Sequence, residues 1–215
     1  MKTSILTALS MLALVGCAQK TGVDRAAAAA QSMDELKKLA GDCNTQIDKT
    51  IASLNALNTV KSGDPKPAFA TFTTELSNAQ SLAASVKSTS DSMRAGGRSF
   101  FAEWEKQIET IKDAELKAKA KARADERSKE YAKIEQSMDT ARGKWTSFNA
   151  SLEDLKGYLQ NDLNAKGIES VSGKIKQANL DSVDLKNSIN VISAQLDKVS
   201  AELSPTAPPP APEKK

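Results

Sequence analysis

The sequence predicts an all-α protein: an elongated antiparallel helical bundle or coiled coil of about four helices, one of them very long. Three observations predict it. Aromatic residues make up 4% of the 215, and glycines number 10, a poor composition for a sheet. Ala, Lys, Glu, Leu, Ser and Gln dominate instead, as they do in long helices. Large apolar residues recur at alternating steps of three and four, which is one stripe along an α-helix. Proline and paired glycine are confined to a few places between those stripes.

The other elements are organised around Phe100 to Leu163, which has no proline and two isolated glycines, Gly143 and Gly157. Its stripe reads Trp104, Ile108, Ile111, then Tyr131, Ile134, Met138, Ala141, Trp145, Phe148, Leu152, Leu155 and Leu159. As one helix it would run on the order of 100 Å at a rise of ~1.5 Å per residue. A helix draws most of its stability from packing its apolar face, so this stripe demands partner helices. Its centre is weak. From Glu115 to Glu130 the only large apolar residue is Leu116, and the stripes on either side are out of phase by about one residue. A helix that is polar all round bridges solvent or joins packing units. A division between two bundle segments is expected there.

In chain order, residues 1–16 read as a secretory signal. Lys2 supplies the positive start, and Ile5 to Val15 form an apolar run too short for a good membrane span. The run ends in Leu14-Val15-Gly16-Cys17. This resembles the lipobox of bacterial lipoprotein signal peptides. The resemblance implies acylation of Cys17 and cleavage just before it, which would tie the chain to a lipid bilayer. Each buried CH₂ of an acyl chain contributes about 0.8 kcal/mol, so two or three chains give durable anchoring. Ala18 stands where an Asp would resemble an inner-membrane retention signal, which favours the outer membrane, facing the periplasm. The competing reading is an ordinary signal peptide, or an uncleaved anchor, with a chance Cys.

Residues 17–31 read as a lipidated tether, with Ala26 to Ala30 able to extend the next helix backwards. Ser32-Met33-Asp34-Glu35 has the form of a capping box. Helix one follows, with Met33, Leu36, Ala40, Cys43, Ile47, Thr50, Leu54 and Leu57 on its stripe. It stops before the turn Ser62-Gly63-Asp64-Pro65-Lys66-Pro67. Helix two carries Phe69, Phe72, Leu76, Ala79, Ala83, Val86, Ser90 and Met93. Gly96-Gly97 is expected to end it and reverse the chain, with Ser99 capping helix three. The pattern pauses at Leu163-Asn164-Ala165-Lys166-Gly167. A fourth helix, from Ile168 to Leu203, then folds back along Tyr131 to Leu159 as an antiparallel hairpin. The bundle thus spans 32–204. Residues 205–215 are proline-rich and are expected to form an extended, disordered tail.

Phe100-Phe101-Ala102-Glu103-Trp104-Glu105, the polar stretch, Tyr131, Met138 and Leu163-Asn164-Ala165 with Ile168 together resemble a bacterial family catalogued only as a domain of unknown function. The resemblance covers roughly Asp34 to Leu203. It implies a secreted or lipoprotein helical coiled-coil protein, and it supplies no catalytic or binding residue.

Net charge is +3, with both signs mixed throughout. That describes a solvated helical surface rather than a nucleic-acid footprint, and no nucleic-acid partner is expected. The sequence has no His, the commonest acid–base residue and metal ligand. With no metal-ligand cluster and no nucleophile motif either, no catalytic residue, cofactor or metal is predicted.

Cys43 lies on a core stripe and reads as a small buried residue; the alternative is an intermolecular disulfide in an oxidising compartment. Trp104 and Trp145 read as core packing, against an aromatic contact to a membrane or ligand. Glu103, Glu105 and Glu109 read as a solvated face, since acid–base work needs a shaped, partly desolvated pocket. Ala95-Gly96-Gly97-Arg98 lacks the strand, spacing and Lys of a phosphate loop. The densest basic run is Lys117, Lys119, Lys121, Arg123, Arg127 and Lys129. It serves solubility or, alternatively, contacts anionic head groups or cell-wall polymer. Lys215 after an extended linker is loosely similar to the terminal Lys by which some lipoproteins join peptidoglycan.

The expected function is a non-enzymatic, membrane-anchored helical spacer, scaffold or adaptor in the envelope, with peptidoglycan or an envelope protein as its partner. The alternative is a membrane-active protein that inserts into or remodels bilayers.

Overall fold

The computed structural model describes residues 22–60 and 62–203. The expected signal segment, the expected lipidation site Cys17 and the proline-rich tail lie outside them. The described residues form helices and no strand: α1 (Gly22–Asn58), α2 (Lys66–Glu109), α3 (Ala114–Asn161), the short α4 (Ala165–Ser170) and α5 (Ser172–Leu203). Four long helices pack as a closed ring, α1 on α2, α2 on α3, α3 on α5 and α5 on α1. The all-α antiparallel bundle expected from periodicity is the observed fold.

Polar pairs mark the registers. Between α1 and α5, Asn55 and Asn179 exchange two amide hydrogen bonds of 2.9 Å. Lys186 donates to Asp48, Asn44 to Asn190 at 2.8 Å, and Ser200 to Asp34 at 3.1 Å. In each of these pairs the residue numbers sum to the same value, so one antiparallel register holds along the whole contact. Between α2 and α3, Gln80 donates to Glu153 at 2.6 Å and Arg142 to Asp91 at 3.1 Å. Between α3 and the last helices, Ser170 donates to Tyr158 at 2.9 Å and Lys144 to the Asp184 carbonyl at 3.2 Å.

Four boundaries differ from expectation. The chain does not reverse at Gly96-Gly97; α2 runs straight through them and stops at Glu109. Gly97 is buried, and a Cβ there would stand 2.2 Å from the Tyr131 ring. That glycine makes room for a neighbouring helix. The reversal lies at Thr110 to Asp113. Asp113 is the extended N-cap of α3, and its side chain accepts from the Leu116 amide at 2.8 Å, satisfying a donor that has no partner within the helix. Ser99 is therefore an exposed residue within α2 and caps nothing.

The very long helix is correspondingly shorter. α3 has 48 residues, about 72 Å at 1.5 Å per residue. The phase slip between its supposed halves marks the hairpin. Glu115 to Glu130 opens α3 rather than dividing two segments, and Leu116 there is 59% exposed.

α1 starts at Gly22, not at Ser32. The Ser32 hydroxyl donates to the Ala28 carbonyl at 3.1 Å within the helix instead of capping it. The fourth helix is interrupted at Val171, leaving α4 and α5. Asn164 caps α4, accepting from the Lys166 and Gly167 amides at 3.0 Å.

Candidate functional site

The site begins with the stripe of α2. Phe72 and Leu76 on one side and Met93 on the other are buried in the core. Between them the inward positions are Ala79, Ala83, Val86 and Ser90, all small or short. The facing part of α3 offers Met138, Ala141 and Trp145. Short side chains at successive core positions cannot span the distance between two helices, and the interior divides there. One apolar cluster is built round Leu54, Phe72, Phe148 and Leu159. The other is built round Met33, Tyr131, Ile134 and Leu196.

A cavity of about 530 Å³ lies between the two clusters, lined by all four long helices. Leu36, Ala40 and Ile47 of α1 and Leu185, Ile189 and Ile192 of α5 form its buried floor. The exposed lining residues, Ala84, Lys87 and Thr146, belong to α2 and α3, so the cavity opens between those helices. Leu82, Val86 and Trp145 are half-buried at that opening. Such a volume, apolar with a few convergent polar groups, matches the common form of a small-ligand pocket.

The polar groups are distributed unevenly. At one end Lys87 donates to Asp91 at 2.8 Å and Arg142 donates to the same carboxylate at 3.1 Å. The Lys87 hydrogen bond, helped by Arg142, holds the Asp91 carboxyl below the usual range. Two cations thus share one anion at this rim. At the other end Gln80 donates to Asn149 at 3.0 Å and to Glu153 at 2.6 Å. Gln46 donates to Glu75 there at 2.7 Å. Cys43 lines the cavity and is half-buried. Burial, aided by the charge of Asp42, pushes its thiol up to about 11, so it is protonated at neutral pH and a poor nucleophile.

The other sequence candidates fall elsewhere. Trp104 is half-buried on α2, in a cluster of rings with Phe100 at 5.5 Å and Phe101 at 6.3 Å. Trp145 packs 6.1 Å from Phe148 and borders the cavity, so the two tryptophans are not equivalent. Glu103, Glu105 and Glu109 do not converge. Glu103 pairs with Lys106, Glu109 with Lys117, and Glu105 is exposed. The basic run is largely neutralised: Lys119 pairs with Glu115, Lys121 with Asp125, and Arg127 with Glu130 and Glu202. Among the described residues no helix is long and apolar enough to cross a membrane. The cavity itself escaped sequence reasoning. Its signal was present in the small residues Ala79, Ala83 and Ser90, which interrupt a stripe of larger ones.

Comparison with curated proteins gives no match. Comparison with solved structures gives none either. The family model described as Protein of unknown function (DUF2959) matches residues 15–202, most of the chain, and the protein belongs to that family.

Proposed function

We propose that this protein is a non-enzymatic lipoprotein, anchored in the outer membrane through acylated Cys17 and facing the periplasm, whose helical rod acts as a spacer or adaptor in the cell envelope. The observation that carries it is the polarity of the rod. Cys17 precedes Gly22 by five residues. Gly22 lies against Gln107, beside the α2–α3 reversal. The opposite end holds the α1–α2 turn and α4. It lies about 54 Å away along the 37 residues of α1, at 1.5 Å per residue. An anchor at one end and a tip at the other is the geometry of a spacer that presents its far end to a partner.

The test is metabolic labelling with an alkyne fatty acid in a Gram-negative host, followed by fractionation. The full chain is expected to take up label and sediment with membranes. Cys17→Ser is expected to lose the label and move to the soluble fraction. Label retained by Cys17→Ser, or its continued sedimentation with membranes, would refute the anchor. Cross-linking from the α4 end in cells would then identify the envelope component that the tip reaches.

A further inference from the structure

We propose that the mid-bundle cavity binds a long-chain aliphatic carboxylate, its tail between α2 and α3 and its head at the rim formed by Lys87 and Arg142. Four features of the site support this occupant. The volume is about 530 Å³ and the floor is apolar, from Leu36 and Ile47 to Leu185 and Ile192. An α-helix is about 10 Å across with its side chains and does not enter that space; a single extended hydrocarbon chain does. The opening runs along α2 and α3 past Leu82, Val86 and Trp145, an apolar entrance for a tail.

Charge then sets the direction. At one rim Lys87 and Arg142 share the single carboxylate of Asp91, which leaves one positive charge uncompensated. Guanidinium and ammonium groups so placed hydrogen-bond a ligand carboxylate strongly. At the opposite end Gln46 and Gln80 are already engaged by Glu75 and Glu153. Lys156 compensates Glu153 at 3.2 Å, so this end carries no surplus positive charge, and the Glu75 carboxylate repels an acidic head. A neutral chain would gain only the apolar contact. This inference is independent of the anchor at Cys17, because every residue it uses lies within the bundle.

Tryptophan fluorescence reports on it directly. Trp145 borders the cavity. Trp104 lies fourteen residues beyond Ser90 on α2, about 20 Å along the helix axis. The full chain carrying Cys17→Ser, with no acyl group of its own, is titrated with dibromostearate, whose bromine atoms quench on contact. Trp104→Phe leaves Trp145 as the reporter, and Trp145→Phe leaves Trp104. Saturable quenching of Trp145 with little quenching of Trp104 is expected. The methyl ester of the same acid is expected to bind about tenfold more weakly, as is stearate competing against the paired variant Lys87→Gln and Arg142→Gln. Ala83→Leu, which fills the cavity, is expected to abolish quenching while circular dichroism and the thermal midpoint are retained. If Ala83→Leu does not fold, Ser90→Leu serves the same purpose. Equal quenching of the two tryptophans, or undiminished quenching in the filled variant, would overturn the site. Equal affinity for acid and ester would overturn the placement of the head.

Discussion

Gly97 and Tyr131 form a close fit between α2 and α3. The Tyr131 ring occupies the space a Cβ at Gly97 would need, and its hydroxyl donates to the Met93 carbonyl at 2.6 Å. Burial, more than the nearby Glu135 charge, pushes this phenol up to about 12, so the donor stays protonated at any ordinary pH. Glycine inside a helix costs about 1 kcal/mol relative to alanine, and here the close approach of two helices offsets that cost. Gly143 has no such neighbour; nothing lies within 4 Å of a Cβ built on it. Opposite effects follow for the same substitution. Gly97→Ala is expected to destabilise the fold by about 1–3 kcal/mol, as overpacking does. Gly143→Ala is expected to stabilise it by about 0.5–1 kcal/mol through helix propensity. Urea unfolding of the two variants beside the parent measures both. A stabilised Gly97→Ala would mean that Tyr131 does not pack there.

Among elements, the α3–α5 seam carries its ion pairs close together. Glu130 accepts from Lys198 at 2.5 Å and pairs with Arg127 at 2.8 Å, while Arg127 also reaches Glu202. Arg127 and Glu130 are mostly covered, so this network is screened less than the exposed pairs at the start of α3. The Lys198 hydrogen bond is the first reason that the Glu130 carboxyl sits below its ordinary value of 4.5. A carboxylate depressed in the folded state adds stability that is complete above its unfolded pKa and is lost as pH falls through the folded value. The stability of the bundle is therefore expected to fall as the pH drops below about 4.5. Glu130→Gln should lower stability at neutral pH and flatten that acid limb. Denaturant titrations between neutral pH and about pH 3 read both effects, and an acid limb as steep in the variant as in the parent would rule Glu130 out as a contributor.

At the scale of the molecule, the four long helices form a rod whose longest member reaches about 72 Å for its 48 residues. A compact globule of the chain's 215 residues would have a radius of gyration of about 17 Å. Small-angle scattering of the Cys17→Ser chain is expected to give a radius above roughly 20 Å, the value a thin rod of that length requires. A radius near the compact value would remove the basis for a spacer. The rod is also unevenly filled. Both end regions are packed by large side chains, Phe72 and Phe148 on one side and Tyr131 and Ile134 on the other. The middle of the α2–α3 seam is lined by Ala79, Ala83 and Ala141, and the cavity sits there because those short side chains leave the space between the helices unfilled.

The order of residues by itself determined the all-α class, the stripes of α1, α2 and α5, and the turn at Ser62 to Pro67. Periodicity records which face of a helix is hidden, and proline with glycine records where a helix cannot continue. Only the tertiary structure decided where the long central stretch folds. Thr110-Ile111-Lys112-Asp113 contains neither proline nor glycine, and the one mark it left was a phase slip in the apolar stripe. Gly96-Gly97 carried the local chemistry of a helix end, yet the helix continues because Tyr131, 34 positions further along the chain, fills the space beside it. The start of α1 at Gly22 was half legible, since Ala26 to Ala30 favours helix and only the capping signal at Ser32 argued otherwise. The cavity lay beyond sequence reasoning for a different reason. A void belongs to the summed volumes of four helices in register, and no single stripe contains that sum.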